Sequence, residues 1–495
     1  MADERPNVVL FPFMAQGHII PFLALAHHIE QMGYAVTFVN TQLNIKKLQK
    51  SLPPPPSSSI KFVVIPFNCA DHGLPPETEN TDSCRYDLFF RLIEATPTLE
   101  LPFRKVLSDL IETGEKPLCV VSDLFFGWAA DVAHEFGIFH AIFSSSSGFG
   151  MACCYSLRLI NLPHKHTDSV EFSLPDFPEA GKVHVNQMPF PTLVSWEDDA
   201  MTKFQRKNLP KWSSSDALIF NTVEDLDGSG LSFFRRKLRI PVWSIGPILL
   251  SRRDTSREAA SSLEKCMEWM DKREPKSVLY ISFGSQNTIS ASQMMNLAKA
   301  LDASSRNFIW AARPPLEADI NAEFASDKWL PEGFPQRVHD QGRGLIISRW
   351  APQVKILAHN SVAAFMSHCG WNSVLESLKN GVPLIGWPIA AEQFYNAKLL
   401  VEEVGVCVEV ARGTNVEVRE EDIMEKIEMV MGETEEGKRM RRRAGDVKEM
   451  IEEAMRDEGD SKGSSVKAMH EFFADAKSSC FWPTRRNSIG EAKAP

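Results

Sequence analysis

The chain has 495 residues, 43% of them hydrophobic and 24% charged, and carries a formal net charge of −10. That length exceeds one ordinary hydrophobic core and points to two domains of about 200–250 residues, while the acidic balance argues against nucleic acid as a partner. Nine scattered cysteines, an odd number without metal-ligand spacing, read as reduced thiols of a cytoplasmic protein, and no window of ~20 apolar residues predicts a membrane span.

The first half alternates strand and helix. Residues 7–11 read as a buried strand, although 8–15 resemble the core of a secretion signal. Gln16, Gly17 and His18 interrupt that run and only Arg5 supplies positive charge before it, so a strand is the better reading. The loop 13–18 leads to a helix over 20–32 with Pro21 in its first turn, where proline is tolerated, and Gly33 ends it. A strand over 35–40 completes a right-handed βαβ unit and argues for a parallel sheet. After the proline run 53–56, residues 60–65 continue the sheet. A strand over 118–122 has Asp123 just past its carboxyl end; a helix over 126–136, a strand over 140–143, the serine cluster 144–147 and a helical stretch to 162 follow. Residues 163–196 are rich in proline and aromatic side chains with little periodicity, the mark of a binding loop. Strands over 217–221 and 242–245 close this half.

Gly246-Pro247 and the polar run 251–262 read as a linker. The domain plan is therefore 1–246, a linker over 247–262, 263–476, and a loose tail over 477–495. The second half repeats the alternation: helix 263–271, strand 278–283, a turn at Gly284-Ser285, helix 291–303, strand 307–311, a variable loop to 335, and strand 344–348. Then comes WAPQVKILAHNSVAAFMSHCGWNSVLESLKNGVPLIGWPIAAEQ, residues 350–393. It parses as a turn with Pro352, a helix over 354–358, a strand over 362–366, a Ser-His-Cys-Gly-Trp-Asn-Ser loop, a helix to 380 and a strand over 383–386. A helix over 394–404, a strand over 406–410, a charged helical run 419–455 and an amphipathic helix 466–476 follow. The charge run reads as a solvated face.

Strand, glycine-bearing loop and helix aim free N–H groups and the positive helix end at an anion. His368, Asn372 and Ser373 put side-chain donors in the same place, a collection that suits a pyrophosphate. Asn372, Ser373 and Glu376 crowd one side of the first helical turn, with the carboxylate placed for ribose hydroxyls. Trp350 heads a corner where an indole stacks on a flat base. Glu392-Gln393 sits at the carboxyl edge of the next strand, where open α/β sheets bind ligands. Base, ribose, pyrophosphate and a further polar pair describe a nucleotide sugar.

The stretch resembles the donor box of plant family 1 UDP-glycosyltransferases from its opening Trp350 to its closing Gln393, and the resemblance extends through PNVVLFPFMAQGHIIPFLALA and YISFGS over nearly the whole chain. It implies the GT-B fold: two Rossmann-like parallel-sheet domains facing across a cleft, the last helix returning to the N-terminal domain. By the same resemblance, Trp350 stacks on uracil, Ala351 belongs to the UDP-sugar site, and Gln353 and Glu376 hold ribose. His368, Asn372 and Ser373 hold the diphosphate, and Trp371, Glu392 and Gln393 contact the sugar. Ser285 donates to a phosphate, Gln16 or Gly17 reaches the diphosphate from across the cleft, and Ser146 reaches the sugar. A terminal Gln393 goes with glucose in this family; Glu392 stands where many relatives have Asp.

Sugar transfer needs a deprotonated acceptor oxygen. His18, in the loop after the first strand, is the candidate base, because imidazole titrates near neutral pH. Asp123 is the candidate partner that fixes its tautomer; that the two meet is implied by the resemblance, as a catalytic dyad. Phe125, Phe149 and Met188 are candidates for the acceptor wall, with plain core packing as the alternative. No Asp-x-Asp cluster suggests a metal site, so neither metal nor cofactor is expected, UDP-glucose being a co-substrate. In-line attack predicts inversion. The expected partners are a UDP-sugar and a small lipophilic plant metabolite bearing a hydroxyl or carboxyl group, acted on by a monomer. Rival readings are a dinucleotide oxidoreductase, which the missing GxGxxG disfavours, a UDP-sugar sensor without turnover, and use of UDP-xylose, UDP-rhamnose or UDP-glucuronate.

Overall fold

Two parallel sheets form the frame. The computed structural model of the chain describes residues 5–51, 59–84, 86–159, 170–188, 200–250, 257–286, 288–319, 322–348, 351–413, 416–459 and 461–479. The first sheet uses β1 (Asn7–Phe11), β2 (Ala35–Thr41), β3 (Lys61–Ile65), β4 (Cys119–Asp123) and β5 (Phe139–Ser144). After a small hairpin of β6 (Glu171–Ser173) and β7 (Lys182–His184), it is completed by β8 (Ala217–Phe220) and β9 (Val242–Ser244). Their order is β3-β2-β1-β4-β5-β8-β9. The second sheet uses β10 (Val278–Ser282), β11 (Asn307–Ala311), β12 (Gly344–Ile347), β13 (Val362–Ser367), β14 (Leu384–Gly386) and β15 (Cys407–Glu409), ordered β12-β11-β10-β13-β14-β15. This is the GT-B arrangement.

Most of these strands are continuous apolar runs because helices cover both faces of a parallel sheet. Val8, Val9 and Leu10 of β1 are fully buried, as are Leu279 and Ile281 of β10. In each sheet the winding direction reverses once, between β1 and β4 and again between β10 and β13. Ligands of open α/β sheets bind at such reversal points, beyond the carboxyl ends of the strands. The topology therefore places the segments after β1, β4, β10 and β13 at the functional edges, before any side chain is considered.

Two boundaries differ from the sequence reading in ways that matter. The first helix is Gln16–Gln31, so His18 lies in its first turn rather than in a loop. Ala15 is extended at the N-cap and offers no capping side chain, so the start carries no sequence signal. Pro21 consequently falls in the second turn, where proline does remove a helical hydrogen bond. Asp123 is the last residue of β4, not the one after it. The sequence reading also leaves out the helices Gln42–Ser51, Glu100–Glu112 and Glu224–Leu238. The proline run, residues 160–169 at the end of the helical stretch and the start of the aromatic loop, residues 189–196 of that loop, part of the linker and the tail beyond 479 lie outside the described residues.

The lobes are joined by more than a linker. One buried cluster runs from Phe149, Phe177 and Phe234 of the first lobe into Trp371, Tyr395 and Leu399 of the second. The last helix, Ser464–Ser479, buries Met469, Phe472 and Phe473 in the core of the first sheet, and Phe473 stacks on Tyr34 at 4.3 Å. Ser465 Oγ donates to the Gly246 carbonyl at 2.6 Å. No helix among the described residues is long and apolar enough to cross a membrane.

Candidate active site

The reversal between β1 and β4 brings His18 and Asp123 together. His18 Nδ1 lies 2.8 Å from Asp123 Oδ2, with the carboxylate fully buried and the imidazole one-fifth exposed. The second carboxylate oxygen accepts the Phe125 N–H at 3.2 Å, which fixes the side chain. Burial by itself would lower the pKa of His18, but Asp123, with help from Glu392 on the other lobe, holds it above its ordinary value. Phe13 stands edge-on to the imidazole at 5.5 Å, and Phe125 lies 5.6 Å away. Phe125 keeps a partly open surface beside His18, and Phe204 adjoins it at 6.3 Å. Phe149 and Met188, expected at the acceptor wall, are instead core residues, 1% and 2% exposed. Phe149 packs on Phe177 at 5.4 Å, because its helix turns that face inward.

The reversal between β10 and β13 assembles the second half of the site. His368 follows β13 and lies between two glycines. A Cβ on Gly284 would approach its Nε2 to 2.7 Å, and one on Gly370 to 2.4 Å. Burial pushes the imidazole down to about 4, against a smaller opposing effect of the Ser282 backbone. In the free protein it is therefore a neutral hydrogen-bond donor near pH 7. Ser285, next to Gly284, is exposed in its turn. The helix Trp371–Lys379 begins at Gly370 and directs its first-turn N–H groups toward the same place.

Gln353, Ser373 and Glu376 meet as one group. Gln353 Nε2 donates to Ser373 Oγ at 2.9 Å and to Glu376 Oε2 at 2.7 Å, while Tyr280 OH donates to Gln353 Oε1 at 3.2 Å. Ala351 is buried beside them. Trp350 lies outside the described residues.

Across the cleft, polar groups pair from lobe to lobe. Asn372 Nδ2 donates to the Gly17 carbonyl at 2.9 Å, and Ser146 Oγ donates to Glu392 Oε1 at 3.2 Å. Gln16 Nε2 donates to Asp82 Oδ2 at 3.1 Å within its own lobe. Gln393 uses Oε1 to accept the N–H groups of Ile389 and Ala390, which leaves its Nε2 as the available donor. Trp371 departs from expectation: its indole is 2% exposed and donates to the Asn221 carbonyl of the first lobe at 3.1 Å. That side chain ties the lobes together. Sequence reasoning missed a further tie, Ser147 Oγ to Asn396 Oδ1 at 2.6 Å, with Asn396 Nδ2 donating to the Cys369 carbonyl. No local pattern marks it.

A family model described as UDP-glucoronosyl and UDP-glucosyl transferase matches residues 253–440. UDP-glycosyltransferase 92A1 of Arabidopsis thaliana is 45% identical over 487 residues, covering 96% of this chain and 99% of that protein. The chain belongs to the plant family 1 UDP-glycosyltransferases. Crocetin glucosyltransferase 3 of Crocus sativus is 39% identical over 88% of this chain and 92% of its own length. Among solved structures, Glycyrrhiza uralensis UGT73P12, complexed with glycyrrhetinic acid 3-O-monoglucuronide, superposes with a TM-score of 0.82 at 28% identity, covering 96% of each chain. As a member of this family the protein is a UDP-dependent glycosyltransferase of the GT-B fold.

Proposed function

We propose that this glycosyltransferase moves glucose from UDP-glucose to a hydroxyl or carboxyl of a small lipophilic plant metabolite, with inversion at the anomeric carbon. The observation that carries the reading is the 2.8 Å contact between His18 and the buried Asp123, opposite the loop that bears His368 and Asn372. Its physical sequence is short. Asp123 accepts a hydrogen bond from Nδ1–H, which leaves Nε2 as the basic nitrogen. Nε2 takes the acceptor hydroxyl proton as the oxygen attacks the anomeric carbon. Asp123 then stabilises the imidazolium formed. The bond to the β-phosphate oxygen breaks on the opposite face, and the helix start at Gly370 with Asn372, Ser373, Ser285 and neutral His368 receives the developing charge.

For the acceptor side, the relevant surface is aromatic, formed by the half-buried Phe125 beside the imidazole and Phe204 next to it, with Phe13 buried behind them, which favours a flat or apolar aglycone. The names of relatives agree, crocetin glucosyltransferase 3 of Crocus sativus and scopoletin glucosyltransferase of Nicotiana tabacum among them. Glucose is favoured over other sugars by Gln393 at the close of the donor box. The reading includes action as a monomer in the cytoplasm without a metal. The test is a donor and acceptor panel: UDP-glucose, UDP-xylose and UDP-glucuronate against phenolic, terpenoid and carboxylate aglycones, followed by mass and by the anomeric proton signal. A β-glucoside is expected. An α-linked product, or preference for another UDP-sugar, overturns the corresponding part.

A further inference from the structure

The hydrogen bond from Asn372 reaches a carbonyl that an ordinary helix would already have used. Inside an α-helix the Gly17 carbonyl accepts from the N–H of residue 21. Residue 21 is Pro21, which has no N–H, and its ring also pushes against the carbonyl four residues earlier. The Gly17 oxygen is thereby left for other donors, and two arrive. Asn372 Nδ2 of the opposite lobe lies at 2.9 Å and Ser145 Oγ, from the loop after β5, at 3.2 Å. A Cβ built on Gly17 would meet nothing within 4 Å, so the space beside this residue is open, and its carbonyl is held by these two hydrogen bonds. The orientation of the Asn372 amide follows from the same contact. Reversed, it would set oxygen against oxygen; as it stands, its Oδ1 is buried without a partner.

We propose that Pro21 is a positioning residue: by withholding a helical donor it frees the Gly17 carbonyl for Asn372 of the donor loop, and so sets His18, one residue on, relative to the bound sugar. This rests on the transfer reaction proposed above. A glycosyltransferase must hold its base and its donor on different lobes at a fixed separation, since misplacement by about 1 Å costs on the order of 100-fold in rate. Here the tie runs from the residue next to the base to the helix start that would hold the diphosphate. A prolyl ring costs an interior helix stability, and this arrangement gives that cost a use.

The test compares wild type with Pro21→Ala, which returns an N–H to position 21 to compete for the Gly17 oxygen. On the order of a tenfold lower kcat is expected. KM for UDP-glucose and the Kd of UDP by calorimetry should move less than about twofold, and the acid limb of the pH profile should stay put because Asp123 still holds His18. Wild-type kcat in a folded Pro21→Ala protein overturns the proposal, as does a loss carried by KM alone. Should that variant not fold, Ser145→Ala and Asn372→Ala probe the same oxygen. Their combined loss in kcat should exceed the product of the single losses, because each donor holds the carbonyl when the other is gone; losses that simply multiply overturn the proposal. If wild type itself transfers no sugar from any donor, the functional reading fails and not this inference alone.

Discussion

Replacing Asp123 with Asn removes one charge from the centre of the site and almost nothing else. The side chain is fully buried, keeps its volume, and can still accept the Phe125 N–H through its amide oxygen. What disappears is the charge-assisted bond to His18 Nδ1 at 2.8 Å, which matters most when the ring becomes an imidazolium during proton abstraction. Hydrogen bonds to charged groups contribute about 1.5–3 kcal/mol, and each ~1.36 kcal/mol of barrier is tenfold in rate. Asp123→Asn should therefore lower kcat roughly 10- to 150-fold, with more lost if the amide selects the wrong tautomer. The KM for UDP-glucose should hold, since no donor-box side chain bonds to Asp123 among the described residues.

The pH dependence gives the same variant a second readout. Asp123 and Glu392 hold the His18 pKa above 6.5 against burial, so wild-type kcat/KM should climb with pH and level off above an apparent pKa higher than 6.5. Without the carboxylate, burial prevails and that limb should move to lower pH, at a lower plateau. Stability carries the matching sign. A raised histidine pKa favours the folded state fully below pH 6.5, and the benefit fades as pH rises through the folded value. The melting difference between wild type and Asp123→Asn should thus be largest in mild acid and shrink on the alkaline side. Initial rates with saturating acceptor at several pH values decide the matter. An unchanged kcat, or a loss confined to the KM for UDP-glucose, refutes the reasoning.

Other predictions follow from the donor side. Gly370→Ala would place a Cβ 2.4 Å from His368 Nε2, so the imidazole must move and UDP affinity should fall on the order of tenfold or more by calorimetry; wild-type affinity would mean His368 does not face the diphosphate. Gly284→Ala should be worse, since its φ of +84° adds backbone strain to a 2.7 Å approach. Trp371→Phe keeps most of the buried ring but removes the donor to the Asn221 carbonyl, at a cost of about 1–3 kcal/mol. Its melting temperature should drop by several degrees with the donor KM little changed, and an unaltered melt would show that the inter-lobe bond contributes nothing.

How much of this was legible in the sequence depends on whether the signal was local. The strands 7–11 and 307–311 coincide with β1 and β11 because buried parallel strands are unbroken apolar runs. The loop between β13 and the helix Trp371–Lys379 is legible because glycine, asparagine and serine cluster at one helix start. The contact of His18 with Asp123 spans 105 residues of chain, and only the reversal of strand order between β1 and β4 explains it. The bond from the Trp371 indole to the Asn221 carbonyl is hidden for a similar reason, since the two residues lie 150 apart in the chain and come from different lobes. Phe149 and Met188 illustrate the same limit, since nothing in an aromatic or thioether residue says which way its element turns. Ala15 gives no capping signal, so the sequence alone sets Pro21 in the first turn and hides the Gly17 carbonyl that the structure leaves free.

The central claim concerns a base on one lobe acting on a sugar held by the other. It is tested most directly by measuring UDP binding and glucosyl transfer side by side in wild type and His18→Ala. Calorimetry should give both proteins the same Kd for UDP within about twofold, while transfer to an aglycone that wild type accepts should fall by at least ~100-fold in the variant. Transfer that survives in His18→Ala would contradict the claim, because the acceptor proton would then have another destination.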